Sequence, residues 1–217
     1  METGGIWIMR LRTLALMLVG LMLVACSNPA ADKTKAVTGQ TSSASAASAV
    51  SGEKYAINPQ NSKIEFIASK VTGSHHGEFQ DFSGGIDYAG QPERSRVNVT
   101  ISMASVKTDT DQLTQHLKTP DFFDVAKFPQ ATFTSTEIKP GGDKGASHTI
   151  TGNFQLHGIA KSISFPATIN VTPEAISVQS TFSINRKDFG INYAGAADNL
   201  IRDDVVMSLH LKAQKGK

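Results

Sequence analysis

The sequence predicts an all-β domain, an antiparallel barrel of about eight strands with one short helix, on three observations. Apolar and polar residues alternate at period two through most of the chain beyond Glu53. Gly, Pro, Asn and Asp separate the alternating runs, and a helical spacing is convincing in one segment.

Ahead of that domain, Arg10 and Arg12 precede an uncharged apolar run from Thr13 to Ala25. The run is about 13 residues long, short of the roughly 20 a helix needs to cross a bilayer, so it reads as the core of an export signal. It ends Leu23-Val24-Ala25-Cys26, which resembles a lipobox: small residues admit the signal peptidase, and the Cys26 thiol takes a diacylglyceryl group before cleavage. Residues 1–25 are therefore expected to be a lipoprotein signal peptide, and Cys26 the lipidated first residue of the mature chain. Met9 offers an alternative start with a more ordinary signal length. Stable anchorage takes more than one acyl chain, which lipoprotein processing supplies. Ser27, where an Asp would signal retention, favours the outer membrane, so the expected location is the periplasmic side of a bacterial cell envelope. Cys26 is the sole cysteine, which excludes a disulfide framework and a thiolate metal site.

Residues 26–52 are dominated by Ala, Ser and Thr, without aromatic residues or apolar periodicity, and are expected to be a flexible linker. As a coil of about 26 residues it would reach about 30 Å. Residues 53–217 form the expected folded domain.

The strands follow in order. Ile64, Phe66 and Ala68 share a face, as do Val97, Val99, Ile101 and Met103. Ile150, Phe154 and Leu156 come next, then Ile163, Phe165, Ala167, Ile169 and Val171, then Ile176, Val178, Phe182 and Ile184. In the last strand Val205, Met207, Leu209, Leu211 and Ala213 oppose Val206, Ser208, His210 and Lys212. Breaks are expected at Gly84-Gly85, Ala89-Gly90, Gly141-Gly142, His157-Gly158 and Thr172-Pro173. Asp109 to Lys118 is the helical exception, with Leu113 and Leu117 four apart, and Thr119-Pro120 stops it. Closure into a barrel removes exposed edges and, at eight strands, leaves room for side chains plus one slender ligand. A two-sheet sandwich has the same alternation, so the pattern alone leaves both layouts open.

Lys and Arg number 21 against 19 Asp and Glu, a net charge of +2 that does not suggest nucleic acid. Eleven Phe against one Trp and three Tyr supply apolar surface with few polar handles, which suits an apolar ligand. His76-Gly77-Glu78 matches the H-x-E of zinc deaminases but lacks the Pro-Cys-x-x-Cys partner, and the other histidines lack the spacing of a helical zinc site, so no metal is expected. Asp109-Thr110-Asp111 opens like a calcium loop, yet Thr114 stands where glycine is required. With no nucleophile elbow, Walker loop or dinucleotide fingerprint, the chain is expected to be neither an enzyme nor the holder of a resident cofactor.

The segment His116-Leu117-Lys118-Thr119-Pro120-Asp121-Phe122-Phe123-Asp124-Val125-Ala126-Lys127-Phe128-Pro129, followed by Ala131-Thr132-Phe133, closely resembles the signature of the YceI-like family. Gly152 to Ile159 with Lys161, Phe182 to Gly190, and Asp203-Asp204-Val205 match in the same order. The resemblance implies a lipocalin-like barrel whose apolar tunnel holds a long-chain isoprenoid lipid, such as an isoprenoid quinone or prenyl phosphate. The expected lining is Phe66, Val99, Ile101, Met103, Phe133, Phe154, Leu156, Phe165, Ile169, Val178, Phe182, Met207 and Leu209. Arg186, Lys187 and Asp188 are expected to be solvated and paired with one another rather than to meet a head group. The competing function is an envelope scaffold whose barrel is filled by its own side chains; a hydrolase or redox enzyme using the histidines is the third. Whether two barrels pair as a homodimer is left open.

Overall fold

The computed structural model describes residues 28–41, 52–197 and 199–216. Cys26 and the expected export signal lie outside them. The strands are β1 (Val37–Gly39), β2 (Glu53–Ile57), β3 (Lys63–Ser69), β4 (Ser74–Phe79), β5 (Phe82–Tyr88), β6 (Arg96–Ser102) and β7 (Val106–Thr108). Helix α1 (Asp111–Leu117) follows, and then β8 (Gln130–Pro140), β9 (His148–Leu156), β10 (Ile159–Val171), β11 (Ala175–Asn185), β12 (Gly195–Ala196), β13 (Asn199–Leu200) and β14 (Asp204–Lys215).

Eight of these close a circuit: β2 pairs with β5, then β6, β8, β9, β10, β11 and β14 follow in turn, and β14 returns to β2, every pair antiparallel. The layout is therefore the barrel and not the sandwich. The long β14 carries two neighbours on one side, β3 beside Val206 to His210 and β2 beside Gln214 and Lys215. Strands β4 and β7 extend that wall, and α1 packs next to β7.

Alternation places the side chains as expected, with Ile64, Phe66, Val97, Val99, Ile101, Ile150, Ile163, Phe165, Val178 and Phe182 in one continuous buried cluster. Four of the expected breaks hold: His157 and Gly158 both take positive φ between β9 and β10, Gly90 and Gly141 do so at their turns, and Thr172-Pro173 separates β10 from β11. The break expected at Gly84-Gly85 is absent, because both residues lie inside β5. A Cβ on Gly84 would run into the Asn98 carbonyl of the adjacent strand, so this glycine marks a close backbone approach and not a turn. The helix begins at Asp111, capped by the Thr110 hydroxyl accepting from the Leu113 N–H. Asp109 falls outside it and accepts from the His76 N–H, with the His75 ring at 2.9 Å.

The largest departure concerns the expected linker. Residues 28–41, read as flexible chain, instead lie against the barrel as a strap, and β1 within it pairs with β10 from Ser162 to Ser164. The strap has too few apolar residues to order itself, but the barrel wall offers it unpaired main-chain groups, which the sequence does not reveal.

Candidate functional site

The barrel interior contains two apolar chambers end to end. Measured as the volume open to the centre of a water-sized sphere, they are about 80 and 90 Å³. The first lies among Val97, Val99, Phe133, Ile150, Phe165, Val178, Phe182, Leu209 and Leu211. The second lies toward α1, among Phe66, Phe79, Met103, Leu117, Phe122, Phe123, Leu156, Ile191, Ile201 and Val205. Ile101, Phe154, Ile184 and Met207 line both and form the waist between them. Phe133, Phe154, Val205, Met207 and Leu209 are only partly buried although they sit against the core, as expected of walls that face a void. Dry apolar cavities on the order of 150 Å³ stay free of water and bind benzene, so chambers of this character suit hydrocarbon.

Glycine shapes the walls. A Cβ on Gly77 would collide with the Phe66 ring, and one on Gly152 with the Phe133 ring. Each ring packs over a glycine on the neighbouring strand, which lets bulky aromatics line the bore without filling it. Phe165 and Phe182 stack at 4.3 Å and 9° between β10 and β11, and Phe154 meets Phe189 edge-on at 5.2 Å.

Of the residues expected to form the lining, all but Ile169 border one or both chambers. Ile169 borders instead a small third void of about 10 Å³ beside Tyr88, Ile138 and Val171, because β10 runs past the end of the main bore. The expectation overlooked Ile64, Val97, Ile150, Ile163 and Leu211, which share the alternating faces and were readable from them. Ile191 and Ile201 come from irregular chain and carry no periodic signal.

Arg186 corrects a second expectation: it is 5% exposed rather than solvated. Its guanidinium donates to the carbonyls of Arg202 (3.2 Å), Ile191 (2.7 Å) and Ile201 (3.4 Å) and pairs with Asp203 at 3.4 Å. Burial pushes its pKa below the usual arginine range, opposed by the Asp203 charge. It thereby ties three chain segments together at the end of the second chamber, where it is the one charged residue on the wall among the described residues. Lys187 pairs with Asp203 at 3.0 Å, not with Asp188.

The histidines do not converge. His75 and His76 are successive residues of β4 and so point to opposite faces, and the His75 ring is engaged by Asp109. Burial opposes ionisation of Asp109, but the bonds from His75 and the His76 N–H outweigh it and hold the carboxyl below the usual range. Among the described residues no group of three or more His, Cys, Asp or Glu is placed to hold a metal ion. No helix among them is long and apolar enough to cross a membrane.

Comparison with known proteins bears on this barrel directly. The model of the YceI-like domain matches residues 55–213. The chain belongs to the YceI-like family. A UPF0312 protein of Pseudomonas putida is 34% identical over 137 residues, covering 60% of this chain and 70% of the relative, and one from Pseudomonas savastanoi is 34% identical over 154 residues, covering 67% and 79%. Among solved structures, BcnA of Burkholderia cenocepacia superposes with a TM-score of 0.64 at 22% identity, covering 73% of this chain and 99% of that one. A polyisoprenoid-binding domain from Saccharophagus degradans gives 0.60 at 20% identity, with coverages of 75% and 98%. These likenesses show the fold of this YceI-like chain, and the matched residues begin after the strap.

Proposed function

We propose that this YceI-like barrel binds, and so carries, stores or shields, the hydrocarbon chain of a polyisoprenoid or similar long-chain amphiphile in its two chambers. The observation that carries the reading is a bore that is hollow and walled by apolar side chains, with a flexible Met207 at its waist. Support also comes from the fold shared with a domain described as polyisoprenoid-binding. Each CH₂ moved from water into such a bore contributes about 0.8 kcal/mol, so a chain of many carbons has ample driving force before its ordering cost is met. An apolar wall selects girth and length, and leaves the head group to the rim. The proposed location is the periplasmic side of the envelope, held by acylated Cys26, with the outer membrane favoured. No cofactor beyond the bound lipid and no nucleic acid enter this reading.

Native mass spectrometry of the protein purified from its membranes under mild conditions tests it. A co-purified long-chain lipid is expected; a chain that arrives empty and also fails to take up a long-chain isoprenoid quinone overturns it. Cys26→Ser is expected to shift the protein from the membrane to the soluble fraction.

A further inference from the structure

Strands β10 and β11 hydrogen-bond to each other over only four residue pairs, Thr168 to Val171 with Ile176 to Gln179. Beyond Gln179 the ladder ends: the Ser180 hydroxyl still donates to the Pro166 carbonyl across the gap, and past that bond the strap occupies the split. On one side Val37, Thr38 and Gly39 pair with Ser164, Ile163 and Ser162 of β10. On the other, the Ala36 N–H donates to the Ser183 carbonyl of β11 at 2.8 Å, and the Ser183 N–H donates to the Thr34 carbonyl at 2.9 Å. The strap is thus an inserted strand that seals a seam in the barrel wall.

The seam leads directly into the bore. Ile163 and Phe165 on one lip and Phe182 and Ile184 on the other all line the first chamber. Behind the strap, the stacked rings of Phe165 and Phe182 span the two lips.

The seal itself is lightly held. Ala36 is the one strap residue in the continuous core; Ala30 is buried outside it, and Val37 is 72% exposed. The side-chain ties are the Lys35–Asp204 pair at 2.7 Å and the Thr34–Asp143 bond at 3.0 Å, both partly or fully exposed. Segments fixed by main-chain bonds with few buried apolar contacts open at low free energy, well below global unfolding. The strap also precedes residues 55–213, which the family model matches.

We infer that the β10–β11 seam is a lateral portal through which a hydrocarbon chain passes between a bilayer and the bore, and that the strap is its displaceable seal. The inference rests on the lipid-binding reading above. One residue, Ser27, separates Cys26 from the first described strap residue. At no more than about 3.6 Å per residue, a lipid on Cys26 would hold the start of the strap within about 7 Å of the anchor. Membrane attachment and portal then meet on one side of the barrel. A side opening spares the polar end of an amphiphile from crossing the apolar bore, a passage with no hydrogen-bonding partners.

A disulfide that staples the strap to the β10 lip, and so holds the seal in the wall, tests this. Val37 and Ser164 are directly opposed in antiparallel strands, a spacing compatible with a disulfide. The Val37→Cys/Ser164→Cys variant of the processed protein is compared oxidised and reduced, so both arms share one fold. Uptake is timed from phosphatidylcholine vesicles carrying a tritiated long-chain isoprenoid quinone. The oxidised form is expected to fill at least tenfold more slowly, with dithiothreitol restoring the rate. Ala36→Asp, which places a charge in the seam, is expected to fill faster than the parent. Equal rates in the oxidised and reduced forms, with the same final occupancy, overturn the portal and leave lipid binding intact. Absence of uptake in every form, the parent included, overturns both.

Discussion

Replacing Met207 by tryptophan puts a rigid indole where a flexible thioether now lines both chambers, and so closes the waist that joins them. In the parent protein, a chain long enough to fill one chamber continues into the other. Each added isoprene unit brings five carbons out of water, about 4 kcal/mol of gross transfer energy. Ordering the chain consumes much of this, but even a net ~1 kcal/mol per unit improves Kd roughly fivefold. Titration with prenyl alcohols of increasing length by isothermal calorimetry should therefore give steadily tighter binding for the parent. Met207→Trp should follow the parent for short chains and then reach a plateau once one chamber is full. The indole also overpacks the core, at a cost of about 1–3 kcal/mol, so urea denaturation must show the variant folded at the assay temperature. Retention of the parent's full length dependence in a folded variant would refute the idea of two chambers in series.

Gly152→Ala drives a methyl into the Phe133 ring and should destabilise the barrel by about 1–3 kcal/mol in urea unfolding, while Phe133→Leu in the same background should recover part of the loss. Arg186→Met removes the donors to three carbonyls, of which that of Ile191 is buried, and should cost about 1–3 kcal/mol by denaturant titration, with Arg186→Lys failing to restore it because one ammonium cannot reproduce the planar fork. The hydrogen bond from Lys215 at 2.6 Å holds the Glu53 carboxyl below the usual glutamate range where β2 meets β14. A depressed carboxyl pKa stabilises the fold above the ordinary carboxylate range and loses that contribution as pH falls through the depressed value. NMR titration should thus show Glu53 ionising at lower pH in the parent than in Lys215→Met, and coincident titrations would remove this link.

Much of the bore was readable from alternation, because a strand that buries one face must repeat at period two whatever its neighbours are. Phe66, Val99, Phe165, Phe182 and Leu209 were placed on the lining in this way. Ile169 fits the same pattern yet misses the main bore, since periodicity says which face a residue takes and not how far along the barrel it sits. Arg186 was misread because a charged residue beside Lys187 and Asp188 looks solvated until the carbonyls of Ile191, Ile201 and Arg202 converge on it. Gly84 was misread as a turn for a related reason: a glycine demanded by a neighbouring strand and one demanded by positive φ are the same letter.

The chain's own order of residues determined the β class, the two-faced strands, the position of the helix and the family to which the domain belongs, because each depends on local periodicity or on an uninterrupted motif. Tertiary structure alone decided that the two chambers meet at a waist shared by Ile101, Phe154, Ile184 and Met207, and that a segment expected to be flexible linker becomes part of the wall. Those outcomes depend on partners distant in sequence: hydrogen-bonding edges on β10 and β11 order a strap whose own composition could never meet the entropy of ordering.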